Sequence, residues 1–154
     1  MKPIRNSAKA IIIKDGKLLT TKNQGKTWIF HLLPGGGQEF GETLHETLKR
    51  ECREEIGGKV EIGELLWIRE YRGWKHEFAE FEQGEHTIEF MFMCSLKSGV
   101  DEKVASQPDT YQIGVEWIKI EAITKYRFYP QVLKPLIKSI NNRKVSPIYL
   151  GDVN

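Results

Sequence analysis

The stretch that decides the fold runs from Leu33 to Gly58 and reads LPGGGQEFGETLHETLKRECREEIGG. Its second half predicts a helix over Thr43–Ile56, because Thr43 and Glu46 have the spacing of a capping box and Gly57 is a typical C-terminal stop. At helical spacing, one apolar stripe is formed by Leu44, Leu48, Cys52 and Ile56. This stripe predicts that the helix packs on a hydrophobic core.

Three carboxylates on the same helix break the apolar pattern. Glu51 and Glu55 project within about 20° of the stripe on an ideal helix, and Glu54 lies three residues from Glu51 on the same side. They approach the negative end of the helix dipole, where cations are favoured. Either they form a solvated face paired with Arg50 and Arg53, or they bind a hard divalent cation that relieves their repulsion.

A glycine-rich loop leads directly into this helix. Glycines allow the backbone to approach a ligand closely, although a plain tight turn explains them equally well. The loop does not fit the dinucleotide fingerprint, because Phe40 takes the place of the last glycine counted from Gly35. The Gly25-Lys26-Thr27 stretch is not a P-loop, since Thr20 stands where the first glycine is needed. The histidines lack the H-E-x-x-H spacing of a zinc site.

The segment from Gly36 to Gly58 resembles the Nudix box, G-x5-E-x7-R-E-U-x-E-E-x-G-U, in which U is an apolar residue. Seven fixed positions match in register: Gly36, Glu42, Arg50, Glu51, Glu54, Glu55 and Gly57. Cys52 and Gly58 depart from the pattern at apolar positions, and neither is a ligand position. The strands around the box are similar to the family's layout, so the resemblance covers most of the chain.

The resemblance implies an α+β fold, an α/β/α sandwich with a mixed sheet between helices, as a single domain over residues 1–154. It implies that Glu51, Glu54 and Glu55 ligate Mg²⁺ or Mn²⁺, that the Gly36 backbone adds a ligand, and that a Glu42–Arg50 ion pair fixes the loop on the helix. The implied reaction is hydrolysis of a pyrophosphate bond in a nucleoside diphosphate linked to another group. A domain that binds a nucleotide metabolite without cutting it, and an RNA 5′-end pyrophosphohydrolase, stay open as alternatives.

The carboxylate that activates water varies within the family. Glu51 and Glu54 are candidates in the helix. Some members take this group from the loop before a later strand, and there Asp109 is the only carboxylate in the segment 107–112. A Pro-Asp turn explains Asp109 equally well, and Gln112 has no basic group.

The substrate is not identified by the sequence. The proline expected of ADP-ribose hydrolases is missing, because none occurs between Gly58 and Pro108. Four aromatic residues could stack on a base, but aromatics in strands belong more often to the core, and we expect this for most of Trp67, Tyr71, Trp74 and Phe78.

Outside the box, strands are predicted over 8–14, 17–22, 28–33 and 115–120, and alternating faces predict longer strands over 59–71 and 86–96. We further expect a loop over 98–110, a helix over 129–140 and a flexible tail over 142–154.

Length and composition agree with one globular domain. The chain has 154 residues and a net charge of +2, which argues against a dedicated nucleic-acid binder. The absence of a long apolar run or leader predicts a cytoplasmic protein without a membrane partner. Cys52 and Cys94 are expected as reduced core thiols. The expected partner is a small nucleotide, and a homodimer is left open.

Overall fold

The computed structural model describes residues 2–100, 111–142 and 146–154. The strands in these ranges are β1 Arg5–Lys14, β2 Lys17–Gln24, β3 Ile29–Leu32, β4 Gly35–Gly37, β5 Val60–Arg72, β6 His86–Leu96, β7 Gln112–Lys119, β8 Phe128–Tyr129 and β9 Tyr149–Asp152. The α-helices are α1 Leu44–Ile56 and α2 Leu133–Lys138. Short 3₁₀ turns occupy Gly73–Lys75, Ile120–Lys125 and Ile140–Asn142.

The strands form a mixed, curled sheet around β1. The main path runs β8-β3-β2-β1-β6-β5-β9, while β4 pairs with β1 and β7 pairs with β2. β1 is parallel to β6 and antiparallel to both β2 and β4. The expected α+β fold with a mixed sheet is therefore confirmed.

Alternate residues of β1 feed two separate cores, one on each face of the sheet. Ala8, Ala10 and Ile12 pack with Leu48 and Cys52 of α1. On the other face, the buried cluster contains Ile11, Trp67, Met91, Leu133 and Ile137, the last two from α2. The period-two alternation of a strand thus sets the sheet between the two helices, and the apolar stripe of α1 faces the core as predicted.

Three elements differ from the sequence-based expectations. The second helix begins at Leu133 rather than at residue 129, because Phe128–Tyr129 pairs as a strand with His31–Leu32. The three glycines after Pro34 form β4, paired with Ser7–Lys9, where the sequence left a ligand-binding loop and a tight turn both open. Tyr149–Asp152 pairs with β5, although the tail shows no strand pattern. In each case the pairing partner is remote in sequence, so local propensity carries no signal.

The predicted loop over 98–110 lies almost entirely outside the described residues. The strand predicted over 115–120 begins earlier, at Gln112. None of the helices in the described ranges is long and apolar enough to cross a membrane.

Candidate active site

The loop and helix that carry the box residues are fixed to each other at the start of α1. The Thr43 hydroxyl accepts from the Glu46 backbone N–H, and the Glu46 carboxylate accepts from the Thr43 N–H, so the predicted capping box is present. At the other end, Gly57 adopts a left-handed conformation with φ 63°. These local signals fix both ends of the helix, and with them the direction of its carboxylates.

The Arg50 guanidinium connects the loop to the helix carboxylates. Its Nε and Nη2 donate to the two oxygens of Glu42 over 2.6 and 3.0 Å, which makes a two-point ion pair. Nη2 also donates to the Gly37 carbonyl at 3.0 Å. The remaining nitrogen, Nη1, donates to Glu51 over 2.8 Å and to Glu54 over 3.3 Å. One side chain therefore holds both the loop and two of the three carboxylates.

Glu42 is built into the loop by further hydrogen bonds. Its Oε2 accepts from the Glu39 backbone N–H at 3.1 Å and from the Thr47 hydroxyl at 2.8 Å. The Arg50 hydrogen bonds, helped by these donors, lower the pKa of Glu42 to about 2 against the burial that opposes them. The same contacts raise the pKa of Arg50. The Glu42–Arg50 pair implied by the resemblance is thus present as an ionised pair at neutral pH.

Glu51 and Gly36 lie in direct contact. A methyl group added at Gly36 would come within 2.6 Å of the carboxyl carbon of Glu51, so a side chain at this position would have to displace the carboxylate. The Gly36 carbonyl accepts from the Ser7 hydroxyl at 3.0 Å. The expected backbone ligand therefore already accepts a side-chain hydrogen bond, and Gly36 is also paired with Ala8 in the β1–β4 ladder.

Glu55 is the most buried of the three carboxylates, with 6% of the residue exposed. Its Oε2 accepts from the Gly35 backbone N–H at 2.9 Å. Glu51 and Glu54 expose 15% and 22% of their side chains. This exposure is too low for a fully solvated charged face, which was the alternative interpretation of the cluster.

The donor set fits a magnesium ion without forming a ready-made cage. Within the described ranges, no group of three or more His, Cys, Asp or Glu side chains is arranged around a common point. Mg²⁺ does not need one, because it keeps several waters and is usually held by one or two carboxylates together with substrate phosphates. Carboxylates packed against a glycine backbone provide hard oxygen donors of this kind.

Comparison with known protein families matches residues 3–139 to the NUDIX domain. The chain belongs to this family. The family resemblance drawn from the box residues is thereby confirmed.

Individual relatives are distant. Nucleoside triphosphatase NudI from Escherichia coli O81 (strain ED1a) is 27% identical over 120 residues, which cover 75% of this chain and 82% of the relative. A Caenorhabditis elegans nudix hydrolase is 28% identical over 89 residues, covering 58% of this chain and only 20% of that protein. The structure of a NUDIX hydrolase from Nitrosomonas europaea has a TM-score of 0.74 at 21% identity and covers 95% of this chain and 94% of its own, which shows a shared fold.

Two further side chains contact the backbone of the box, and the sequence analysis did not propose either as a site residue. Lys9 donates to the Gly35 carbonyl at 3.0 Å, on the loop side of β1. Gln112 donates to the Glu55 carbonyl at 2.8 Å, at the C-terminal end of α1. Neither residue has a sequence signal, because both reach the box through strand positions remote from it. Asp109 lies outside the described residues.

The four aromatics separate into different environments. Trp67 is buried and donates to the Ser146 hydroxyl, as a core residue would. Tyr71 is half-buried and stacks on His76, whereas Trp74 is exposed. Phe78 packs edge-on against Tyr129.

Proposed function

We propose that this chain is a metal-dependent hydrolase that cleaves a pyrophosphate bond in a nucleoside diphosphate linked to another group. The products would be a nucleoside monophosphate and a phosphorylated remainder. The observation that carries the proposal is the set of Arg50 hydrogen bonds, which connects the Gly37 carbonyl with Glu51 and Glu54. Such a fixed cluster of carboxylates packed against a glycine backbone suits phosphate chemistry better than a structural role.

Glu51, Glu54 and Glu55 would hold Mg²⁺ or Mn²⁺, with the Gly36 backbone as a further ligand. When bound, the ion would offset the charge of the diphosphate and acidify a water. When the substrate binds, Arg50 would give up part of its contact with Glu51 and Glu54. It would keep its two-point ion pair with Glu42. The loop would then stay in place during the reaction.

Glu54 is the box carboxylate best placed to accept a proton from the attacking water. Glu55 is engaged with the Gly35 N–H, and Glu51 lies 2.8 Å from Arg50, whereas the Glu54 contact with Arg50 is longer at 3.3 Å. The water oxygen would bond to phosphorus as the bond from phosphorus to the bridging oxygen breaks. Asp109 remains the second candidate for this role. It is three residues from Gln112, which is bound to the Glu55 carbonyl.

Nucleoside triphosphates are the first substrates to test, because the Escherichia coli relative is named a nucleoside triphosphatase. In such a substrate the group linked to the nucleoside diphosphate is a phosphate. The products would be a nucleoside monophosphate and pyrophosphate. The near-neutral net charge of +2 gives no support to a long nucleic-acid substrate.

The deciding experiment measures phosphate and pyrophosphate release from a nucleotide panel and from a 5′-triphosphorylated RNA. We expect turnover of small nucleotides with Mg²⁺ or Mn²⁺, loss of turnover in excess chelator, and recovery when Mg²⁺ is restored. Undiminished turnover in chelator would contradict metal dependence. Tight nucleotide binding without cleavage would favour the non-catalytic nucleotide-binding domain. Preference for the RNA substrate would favour an RNA 5′-end pyrophosphohydrolase.

A further inference from the structure

A second group of charged side chains lies buried in the sheet, away from the box carboxylates. Arg69 of β5 donates through Nε to Oε2 of Glu89 on β6, over 2.6 Å. These side chains expose only 7% and 13% of their surface. Burying an ion pair carries a desolvation cost that apolar residues of similar size avoid. The pair has no part in the hydrolytic step proposed above.

The pair lies in line with the glycine strand β4. Ser7 is paired with Gly37 on one side and with Glu89 on the other, and Glu89 is paired with Arg69. These four residues form one row across β4, β1, β6 and β5. Glu89 is therefore two strand spacings from Gly37, about 10 Å. This separation is comparable with the distance from the 5′ phosphate of a nucleotide to the far edge of its base.

The row lies on the sheet face opposite α1. Glu89 lies two residues from Met91 on β6, and Arg69 lies two residues from Trp67 on β5, so each shares a face of the sheet with that residue. Met91 and Trp67 belong to the core beneath α2. Near the loop, Lys9 on the same face donates to the Gly35 carbonyl. A substrate held at the loop by its phosphates can therefore extend along this face from Lys9 towards Glu89.

Both members of the pair keep a polar atom available. Among the contacts of the described residues, Glu89 Oε1 accepts no hydrogen bond and Arg69 Nη2 donates none. The other terminal nitrogen of Arg69, Nη1, donates to the Val153 carbonyl at 2.7 Å and to Asn154 Oδ1 at 3.1 Å. Arg69 also lies over the Tyr71 ring at 4.8 Å. Its orientation is fixed on two sides, while Nη2 has no hydrogen bond among the described residues.

The charge of Glu89 decides what can bind there. Burial alone would raise the pKa of Glu89, but the charges of Arg69 and Lys9 and the Arg69 hydrogen bond lower it, so the group is an anion at neutral pH. An anionic acceptor repels phosphate and attracts N–H donors. The position therefore suits an uncharged edge that carries a donor next to an acceptor, as a nucleobase does.

We infer that Glu89 and Arg69 are the nucleobase-recognition pair of this chain, with a base N–H donating to Glu89 Oε1 and a neighbouring base acceptor facing Arg69 Nη2. This inference rests on the proposed function, because it takes the substrate to be a nucleotide whose phosphates lie at β4.

The test compares wild type with Glu89→Gln on ATP, GTP, CTP and UTP in Mg²⁺, measured as kcat/KM. The variant should lose about tenfold or more on the preferred nucleotide, because the amide presents a donor to the base N–H if it turns and a weaker acceptor if it does not. The ratio between preferred and disfavoured nucleotides should shrink. An analogue of the preferred nucleotide with that N–H methylated should react equally with both proteins.

Glu61→Gln is the matched control, since Glu61 makes the same chemical change on β5 at an exposed position paired with Ser95, far along the strand from Arg69. It should leave the ratios unchanged. If Glu89→Gln does not fold, Arg69→Lys carries the test, because it keeps the positive charge and removes the Nη2 donor. An equal loss on all four nucleotides, or a wild type that does not discriminate between them, would overturn the inference.

A separate binding experiment distinguishes this failure from failure of the proposed function. Nucleoside monophosphates are titrated into both proteins in chelator by calorimetry. Base-dependent affinity that Glu89→Gln abolishes supports the recognition pair even if no nucleotide is hydrolysed. Hydrolysis with base-independent affinity in both proteins would retain the enzyme and reject the pair.

Discussion

Arg50 binds two kinds of carboxylate, and their surroundings give them different work. Glu42 is saturated by donors from Arg50, Thr47 and the loop backbone. Glu54 has a single, longer contact with the same guanidinium. A fully satisfied anion stabilises a loop, whereas an anion with free lone pairs can exchange partners. Substitutions at the two positions should therefore affect different measurements.

Glu42→Ala should lower both stability and activity. Removing the carboxylate takes two hydrogen bonds from Arg50 and leaves the Thr47 hydroxyl only its longer contact with the Thr43 carbonyl, so we expect a loss of about 1–3 kcal/mol in the free energy of unfolding. Because the folded pKa of about 2 lies below the ordinary 4.5, ionised Glu42 stabilises the fold above pH 4.5, and this contribution is lost as the pH falls towards 2. The free energy of unfolding, measured by urea titration over this pH range, should therefore fall less steeply with decreasing pH in the variant than in the wild type.

Glu39→Ala is the control for this prediction. Glu39 is 4.0 Å from Arg50 with a side chain 70% exposed, and such surface pairs contribute little. An unchanged melting temperature for Glu42→Ala would contradict its structural role.

Glu54→Gln should lower activity and leave stability unchanged, because it removes one charge from a repelling cluster and one weak contact. We expect a fall in kcat of about 10²-fold or more, the scale for a positioned proton acceptor. Asp109→Asn tests the competing assignment. If Asp109 is the base, that variant should lose kcat at nearly constant KM, together with the acidic limb of the pH–rate profile.

The two variants must be measured on the same substrate by steady-state kinetics and thermal melting. Full activity in Asp109→Asn would assign the base to the helix. Near-wild-type turnover in Glu54→Gln and in Glu55→Gln would show instead that these carboxylates are not part of the reaction.

At the scale of elements, β4 is the piece of backbone on which the site depends. Gly36 faces Glu51, and Gly35 lies so close to β1 that an added methyl group would come within 2.1 Å of the Ala8 carbonyl oxygen. Gly35 also has a φ of 134°, which other residues rarely adopt. Glycine is therefore needed for different reasons at these two positions. At Gly36 it leaves space for the Glu51 carboxylate, and at Gly35 it lets the backbone lie close to β1.

Gly36→Ala should reduce kcat/KM at least tenfold, because the methyl group must displace the Glu51 carboxylate from the loop. Its melting temperature should change less than that of Gly35→Ala, which clashes with backbone and strains φ. Gly58→Ala is a matched control from the same box, since its methyl group would meet nothing closer than 3.4 Å. Wild-type kinetics in Gly36→Ala would show that the position of Glu51 at the loop is not needed.

The elements differ in how far sequence alone predicted them. α1 was predicted to within one residue because its capping box, apolar stripe and terminal glycine are all local signals. β4, β8 and β9 were missed because each is short and defined by a partner far away in the chain. The same difference between local and long-range signals decided which residues of the candidate sites could be predicted. The box residues were found by their spacing, whereas Glu89 and Arg69 meet only through the β5–β6 register.

At the scale of the whole molecule, the C-terminal residues fasten one side of the sheet. Asp152 accepts from Arg72 Nε at 2.8 Å and lies 2.6 Å from His76 Nε2. Asn154 donates to Glu77 at 3.1 Å. These contacts hold Val153 and Asn154 against Arg69, so the tail is part of the environment proposed for base recognition. The flexibility expected over 142–154 stays a prediction.

Asp152→Asn should loosen this tail without unfolding the domain. Burial raises the pKa of Asp152, but the His76 and Arg72 hydrogen bonds outweigh it and lower the pKa to about 2 from 3.8. The ionised group therefore stabilises the tail above pH 3.8, and this contribution is lost as the pH falls towards 2. The variant should expose the Val153 N–H, which donates to the Glu70 carbonyl, to faster hydrogen exchange at neutral pH.

Asp15→Asn, in the turn between β1 and β2, is the control for the same chemical change and should leave exchange in the tail unaltered. If the tail fixes Arg69 for the substrate, Asp152→Asn should also raise KM for the preferred nucleotide with little change in kcat. Faster exchange with unchanged KM would separate the tail from the site. Unchanged exchange at Val153 would show that strand pairing, rather than the Asp152 ion pairs, holds the tail in place.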